Sequence, residues 1–388
     1  MTYASSGIAL PLLKNGSLDW KIPARKTERL GEDWAQADCE SLAAAVDREG
    51  RARLDRFLSG VEAYRRHSYR RDLADPPVFW AEGSTRVLHF AAAAGPSAPS
   101  VLVVPSLINR SYVLDLSSRS SFMRWLAARG YNGYLVDWGM PGDTERAFTL
   151  TEYVAGRLER LFAALLARTQ RKLAVVGYCM GGNLALSLAL RRQSEVAGLA
   201  LLATPWDFHA ADEDAARAIA GLAASFEPYL TALGVLSTDV IQFLFCTLDP
   251  LLGYRKFRQF AELLPGSSRA LEFVALEDWL NDGVPLVAGV ARECLVGWYG
   301  RNEPAQGHWR IAGGVVDPAE FTKPTIAMIP QLDRIVPPQS ARALADAIPR
   351  CEVVLPKAGH IGMMAGRKAE AMVWRPLQAW LDKVAELP

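Results

Sequence analysis

Near the middle of the chain, Gly177-Tyr178-Cys179-Met180-Gly181 sets a single thiol between two glycines. "LAVV" leads into these residues, and "NLALSLAL" begins at Asn183, just past Gly181-Gly182. Strand, tight turn and helix in that order make a nucleophile elbow. The turn is sharp, so the residues two before and two after the nucleophile come close. Gly177 and Gly181 supply that clearance, and Gly182 extends it. A thiol on such a turn lies over a helix amino terminus, whose dipole favours the thiolate. The Met180 amide is then placed to donate to a developing oxyanion.

A thiolate nucleophile needs a base, and the base needs a group to orient it. The chain has five histidines. His67 lies among arginines, His89 inside an early strand, and His308 at the tail of a helical region. His209 closes "ATPWDFHA" near a strand end, and His360 follows the last strand in "CEVVLPKAGHIGMM". The elbow architecture runs nucleophile, acid, histidine, with the histidine after the last strand. That order selects His360, with His209 as runner-up. Asp333 in "PTIAMIPQLDRIVPP" lies just past a strand and is the expected orienting carboxylate. Asp207 is a minor rival. Asp137 in "LVDWG" also ends a strand but precedes the nucleophile, which gives it a structural or pocket role. The second oxyanion donor should lie beyond "VLVV" in "VLVVPSLINR", where the Leu107 and Ile108 amides are both open choices.

These residues need a scaffold. Short apolar runs, "RVLHFA", "SVLVVPS", "YNGYLVDW", "LAVVGY", "GLALLAT", "PTIAMIP" and "CEVVLP", read as strands buried on both faces of a parallel sheet. Helical patterns such as "SSFMRWLAARG" and "TEYVAGRLERLFAALLART" lie between several of them. The alternation implies a doubly wound α/β core over residues 76–209 and 321–388. Residues 210–320 are mostly helical and are expected to form one insertion, a lid or cap over the sheet's carboxyl edge. Residues 1–75 read as a charged helical extension, with Leu54, Phe57, Leu58, Val61 and Tyr64 at helical spacing, ended by Asp75-Pro76-Pro77.

Composition narrows the function. The chain has 388 residues, half of them apolar, enough for a large core. Lysine plus arginine number 43 against 42 acidic residues, so no long-range field draws in nucleic acid or an anionic membrane. Five scattered cysteines without a CxxC pair fit a reducing compartment rather than a disulfide framework or zinc site. The start lacks a signal-peptide pattern, and no run approaches a transmembrane span, so a cytoplasmic location is expected. The Asn-x-Ser sequences at Asn15 and Asn109 then carry no glycosylation meaning. No metal cluster, phosphate cradle or dinucleotide fingerprint is found.

Taken together, "VPSLINRSYVLDL", "YLVDWGMPG", "GYCMGG", "LLATPWDF", "LDRIVPP" and "AGHIG", in this order, resemble the polyhydroxyalkanoate synthase family of the α/β-hydrolase superfamily. The resemblance covers roughly residues 85–210 and 320–385. It implies an α/β-hydrolase fold with Cys179 acylated, His360 as base and Asp333 as its partner. It also implies 3-hydroxyacyl-CoA as substrate, polyester as product, CoA as the released group rather than a cofactor, and a place at the surface of polyester granules. In length, and in "GHIGMMAGRKAEAMVWRPLQAWL", the chain is more like the short type that works with a helper subunit; a helper and a homodimer both stay open. A cysteine hydrolase on the same scaffold, a thioesterase or an intracellular polyester depolymerase, would carry an identical elbow and triad. A non-catalytic granule-associated relative is the third reading, and the intact nucleophile, acid and histidine argue against it.

Overall fold

A computed structural model describes residues 39–386. The expectations for residues 1–38, including the start of the helical extension, lie outside the described residues. The chain divides into two compact units: one holds the described residues up to Tyr69 together with Asp249–Val274, the other Arg70–Leu248 and Ala275 onward.

The larger unit is built on an eight-stranded sheet. Its strands are β1 (Val78–Glu82), β2 (Thr85–Phe90), β3 (Ser100–Val104), β4 (Asn132–Asp137), β5 (Leu173–Tyr178), β6 (Val196–Leu202), β7 (Thr325–Met328) and β8 (Glu352–Val354). They lie in the order β1-β2-β4-β3-β5-β6-β7-β8. β1–β2 and β2–β4 pair antiparallel. The remaining pairs are parallel. All seven apolar runs read as strands from the sequence occur here. β3, β4, β5 and β7 are buried at every residue, as near-continuous apolar runs require when helices cover both faces. β1, a half-exposed edge strand that starts directly after Pro76-Pro77, lies outside those runs.

Residues 152–169 form the expected helix, but its first part, Glu152–Leu158, is wound as a wider π-turn before Glu159–Thr169 becomes α-helical. The helix Met180–Arg191 is buried from Met180 to Ala189, because it runs from the elbow straight into the core.

Residues 210–320 do not behave as a single insertion. Helices Glu213–Leu233 and Thr238–Leu248 and the π-helix Glu293–Gly300 belong to the larger unit. Residues 249–274 belong to the smaller one. Two two-residue ladders, Val235–Leu236 with Leu286–Val287 and Arg310–Ile311 with Gly314–Val315, also interrupt the helices.

In the smaller unit the helix Cys39–Arg65 meets the helix Leu252–Phe260. Phe57 packs on Tyr254 at 5.4 Å between ring centroids, Tyr64 on Phe257 at 5.7 Å, and Phe260 stacks on Phe273 at 4.3 Å. Gly60 permits the approach, since a Cβ there would lie 1.9 Å from the Phe257 carbonyl oxygen. This aromatic match between segments distant in sequence is the physical reason the predicted insertion splits.

Candidate active site

β5 ends at Tyr178 and the following helix begins at Met180, so Cys179 alone makes the turn. Its φ of 56° and ψ of −132° lie where a residue with a side chain is strained. The surroundings hold it there. The Cys179 amide donates to the Leu202 carbonyl of β6 at 2.8 Å, and the Gly182 amide donates to the Cys179 carbonyl at 2.9 Å. The glycines act by allowing contact: a Cβ on Gly181 would lie 2.1 Å from the Val104 carbonyl oxygen, and one on Gly182 1.9 Å from Thr204 Oγ1. A Cβ on Gly177 would meet the Gly182 Cα at 2.4 Å. Cys179 itself is half-buried.

Asp333 and His360 arrive on two loops that beyond β7 and β8 stay joined. The Gln331 amide donates to the Pro356 carbonyl and the Leu332 amide to the Ala358 carbonyl, both at 2.9 Å. Asp333 Oδ1 accepts the Ile335 and Val336 amides at 2.8 and 2.9 Å, which fixes the carboxylate. Its other oxygen, Oδ2, accepts from His360 Nδ1 at 2.7 Å. The side chain of Asp333 is fully buried and that of His360 nearly so. The charge of Cys179 acts on the imidazole as well. With Nδ1 committed to Asp333, Nε2 is the nitrogen left for the sulfur. Burial disfavours an imidazolium here, but the charge on Cys179 and the hydrogen bond to Asp333 outweigh it and push the His360 pKa up to about 10. The structure thus brings together the cysteine, histidine and aspartate selected from the sequence.

The rivals are engaged elsewhere. His209 Nε2 donates to the Tyr299 carbonyl at 2.8 Å. Asp207 Oδ1 accepts the His209 amide at 2.9 Å and Asn302 Nδ2 at 2.8 Å. Asp137 pairs with Arg86 at 2.6 Å and also takes the Ser111 hydroxyl at 3.3 Å, a structural role. His89 stacks on Tyr134 at 4.6 Å, and His67 Nε2 bonds the Pro265 carbonyl at 2.9 Å.

The two candidates for the second oxyanion donor differ. The Ile108 amide donates to Ser106 Oγ at 3.0 Å. Among the described residues the Leu107 amide has no such partner. The Met180 amide heads its helix, where the first amides lack intrahelical acceptors.

Two features were not read from the sequence. An aromatic wall of Trp206, Phe208, Trp298, Tyr299 and Trp309 joins the loop after β6 to the π-helix 293–300 and the segment after it; Phe208 meets Tyr299 at 5.0 Å and Trp298 meets Trp309 at 5.2 Å. Cys179 packs against the same core. The second is Tyr178, whose hydroxyl and ring both reach His360. "LLATPWDF" signalled the first only by its aromatic content. The second had no signal beyond adjacency to Cys179.

A chain that carries this sheet order and elbow belongs to the alpha/beta hydrolase fold family, whose model matches residues 99–366. Among characterised relatives, the chain is similar to the poly(3-hydroxyalkanoate) polymerase subunit PhaC of Synechocystis sp., with 28% identity over 73% of this chain and 77% of that one. The subunit of the same name from Haloferax mediterranei is 26% identical over 80% of this chain and 64% of its own length. Among solved structures, the thioesterase domain from the curacin biosynthetic pathway aligns at a TM-score of 0.47 and 15% identity, over 78% of this chain and all of that domain. Among the described residues no helix is long and apolar enough to cross a membrane.

Proposed function

We propose that the protein is an acyltransferase that polymerises 3-hydroxyacyl groups from CoA thioesters into polyhydroxyalkanoate, with release of CoA. The observation that carries this reading is the continuous line from Asp333 Oδ2 through the His360 imidazole to a half-buried cysteine on a strained elbow. The similarity to poly(3-hydroxyalkanoate) polymerase subunits supplies the substrate class.

In this mechanism the Cys179 sulfur, its proton held on His360, attacks the thioester carbonyl. The C–S bond to CoA breaks as the new one forms, and the proton on His360 passes to the departing CoA sulfur. The Met180 and Leu107 amides receive the oxyanion. The acyl-enzyme is itself a thioester, close in energy to the substrate. That reversibility suits transfer to an alcohol. His360 then takes the proton of the acceptor's 3-hydroxyl, whose oxygen attacks the acyl carbonyl, and the proton returns to sulfur as the ester forms. Asp333 holds the imidazole tautomer throughout. Exclusion of water from the acyl-enzyme favours the alcohol as acceptor. No cofactor enters the reaction.

The test is incubation of the purified protein with 3-hydroxybutyryl-CoA while CoA release is followed and the product identified. Polymer with stoichiometric CoA is the expected result. Free 3-hydroxybutyrate as sole product would replace the polymerase reading with that of a cysteine thioesterase.

A further inference from the structure

The imidazole of His360 is held from a third direction. The Tyr178 hydroxyl donates to the His360 backbone carbonyl at 3.1 Å. Its ring also lies nearly parallel to the imidazole, with centroids 5.3 Å apart and planes 26° apart. Tyr178 is the last residue of β5 and immediately precedes Cys179. Burial, followed by the charges on Cys179 and Asp333, pushes its phenol well above the ordinary tyrosine range, so the hydroxyl keeps its proton and remains a donor.

The aspartate bond does not by itself place the base. A single contact at Nδ1 fixes the tautomer and restrains ring rotation, but it does not act on the main chain of His360 itself. Residues 355–361 lie beyond the last strand; the Pro356 and Ala358 carbonyls join them to the Asp333 loop, and the Gly359 and Ile361 carbonyls accept amides of the short helix that follows. Tyr178 ties the main chain of His360 to the residue adjoining the nucleophile.

We propose that Tyr178 is a positioning residue for the base: it sets the distance between the His360 imidazole and the Cys179 sulfur through a main-chain hydrogen bond and a stacked ring. The inference rests on the reading of Cys179 and His360 as nucleophile and base. An aromatic face beside an imidazole also favours its charged form. Tyr178 therefore acts on where the base sits and on how readily it keeps its proton, without touching substrate.

The test compares Tyr178→Phe and Tyr178→Leu with the parent protein, by steady-state CoA release from 3-hydroxybutyryl-CoA and by the NMR titration of His360. Tyr178→Phe keeps the ring and loses one hydrogen bond, so kcat falls about fivefold with KM held within about twofold. Tyr178→Leu loses the ring as well, and kcat falls about a hundredfold as the base drifts from its attack geometry. The His360 titration midpoint moves down in the leucine variant and stays near the parent's in the phenylalanine variant. A plain core-filling role would lower the melting temperature of both variants and leave kcat and the midpoint of the folded protein unchanged; that result overturns the proposal. If the leucine variant does not fold, kcat and KM of Tyr178→Phe decide alone. If the parent releases no CoA, the acyl-transfer reading has failed separately, and the rate of Cys179 alkylation by iodoacetamide, scored on its peptide, takes the place of kcat.

Discussion

Two clusters of buried charge stand near the carboxyl ends of strands in the same sheet, and they differ in one respect. Beyond β4, Arg157 and Glu145 are both almost wholly buried and meet at 2.9 Å. Arg157 also donates to Thr85 Oγ1 at 3.0 Å and to the Glu82 carbonyl. Glu145 accepts the Ser84 and Gly142 amides, each at 3.1 Å. Burial would raise the Glu145 carboxyl, but those amides and Arg157 hold it below the usual glutamate range. The cluster is closed, because both of its charged groups already face fixed partners. The second cluster runs Asp333, His360, Cys179. Both Asp333 oxygens are taken at its buried end, but it finishes on a half-buried cysteine. Buried charge alone therefore does not mark a site.

The comparison breaks most sharply at the open end. Cys179→Ala should cut CoA release by about 10⁵-fold or more while the protein still folds cooperatively, measured by single-turnover kinetics and urea titration. A variant that kept a tenth of the activity would remove Cys179 from the chemistry. One step inward, Asp333→Asn retains an oxygen for the Ile335 and Val336 amides but no longer enforces the imidazole tautomer. Its kcat should fall by about 10²–10⁴ without loss of fold.

The closed cluster should answer in the opposite way. Arg157→Met leaves Glu145 buried without its countercharge and should destabilise the protein by about 3–5 kcal/mol, while kcat of the folded fraction stays unchanged. Adding Glu145→Gln should recover part of that loss. A kcat effect as large as that of Asp333→Asn would erase the distinction between the clusters.

Titration sharpens it further. His360 is raised in the folded protein from 6.5 to about 10. A raised histidine contributes stability that is complete below its unfolded value and is lost as pH climbs through the folded one. Stability should therefore decline between about pH 6.5 and 10, and Cys179→Ala, which removes the largest raising influence, should lower the His360 midpoint. A midpoint unchanged in that variant would mean the sulfur does not face the ring. The smallest expected effect is at the backbone. Cys179→Gly relieves the strain at φ 56° and should raise stability by about 1 kcal/mol while abolishing acyl transfer.

The elbow was legible because its constraints are local: five consecutive residues carry the strand end, the turn and the clearance. His360 and Asp333 were legible through chain order, since each directly follows a short apolar run. The sheet was legible for the same reason, except β1, whose half-exposed side chains give neither a buried run nor a clean alternation. Features that depend on which particular side chains meet were not legible. Tyr178 and His360 lie 182 residues apart, and nothing in "GYCMGG" says which ring the tyrosine meets. The Ser106 hydroxyl that engages the Ile108 amide and distinguishes it from the Leu107 amide had no signature in composition either. The pairing of Gly60 with Phe257 divided a helical stretch whose periodicity read as continuous.

The account is tested most directly by the covalent state of the protein after rapid mixing with 3-hydroxybutyryl-CoA, followed by acid quench and peptide mass spectrometry. It predicts one 3-hydroxybutyryl group on the peptide that carries Cys179, formed as CoA is released and missing from Cys179→Ala. Release of CoA with Cys179 unmodified, or with the acyl group on another side chain, would contradict it.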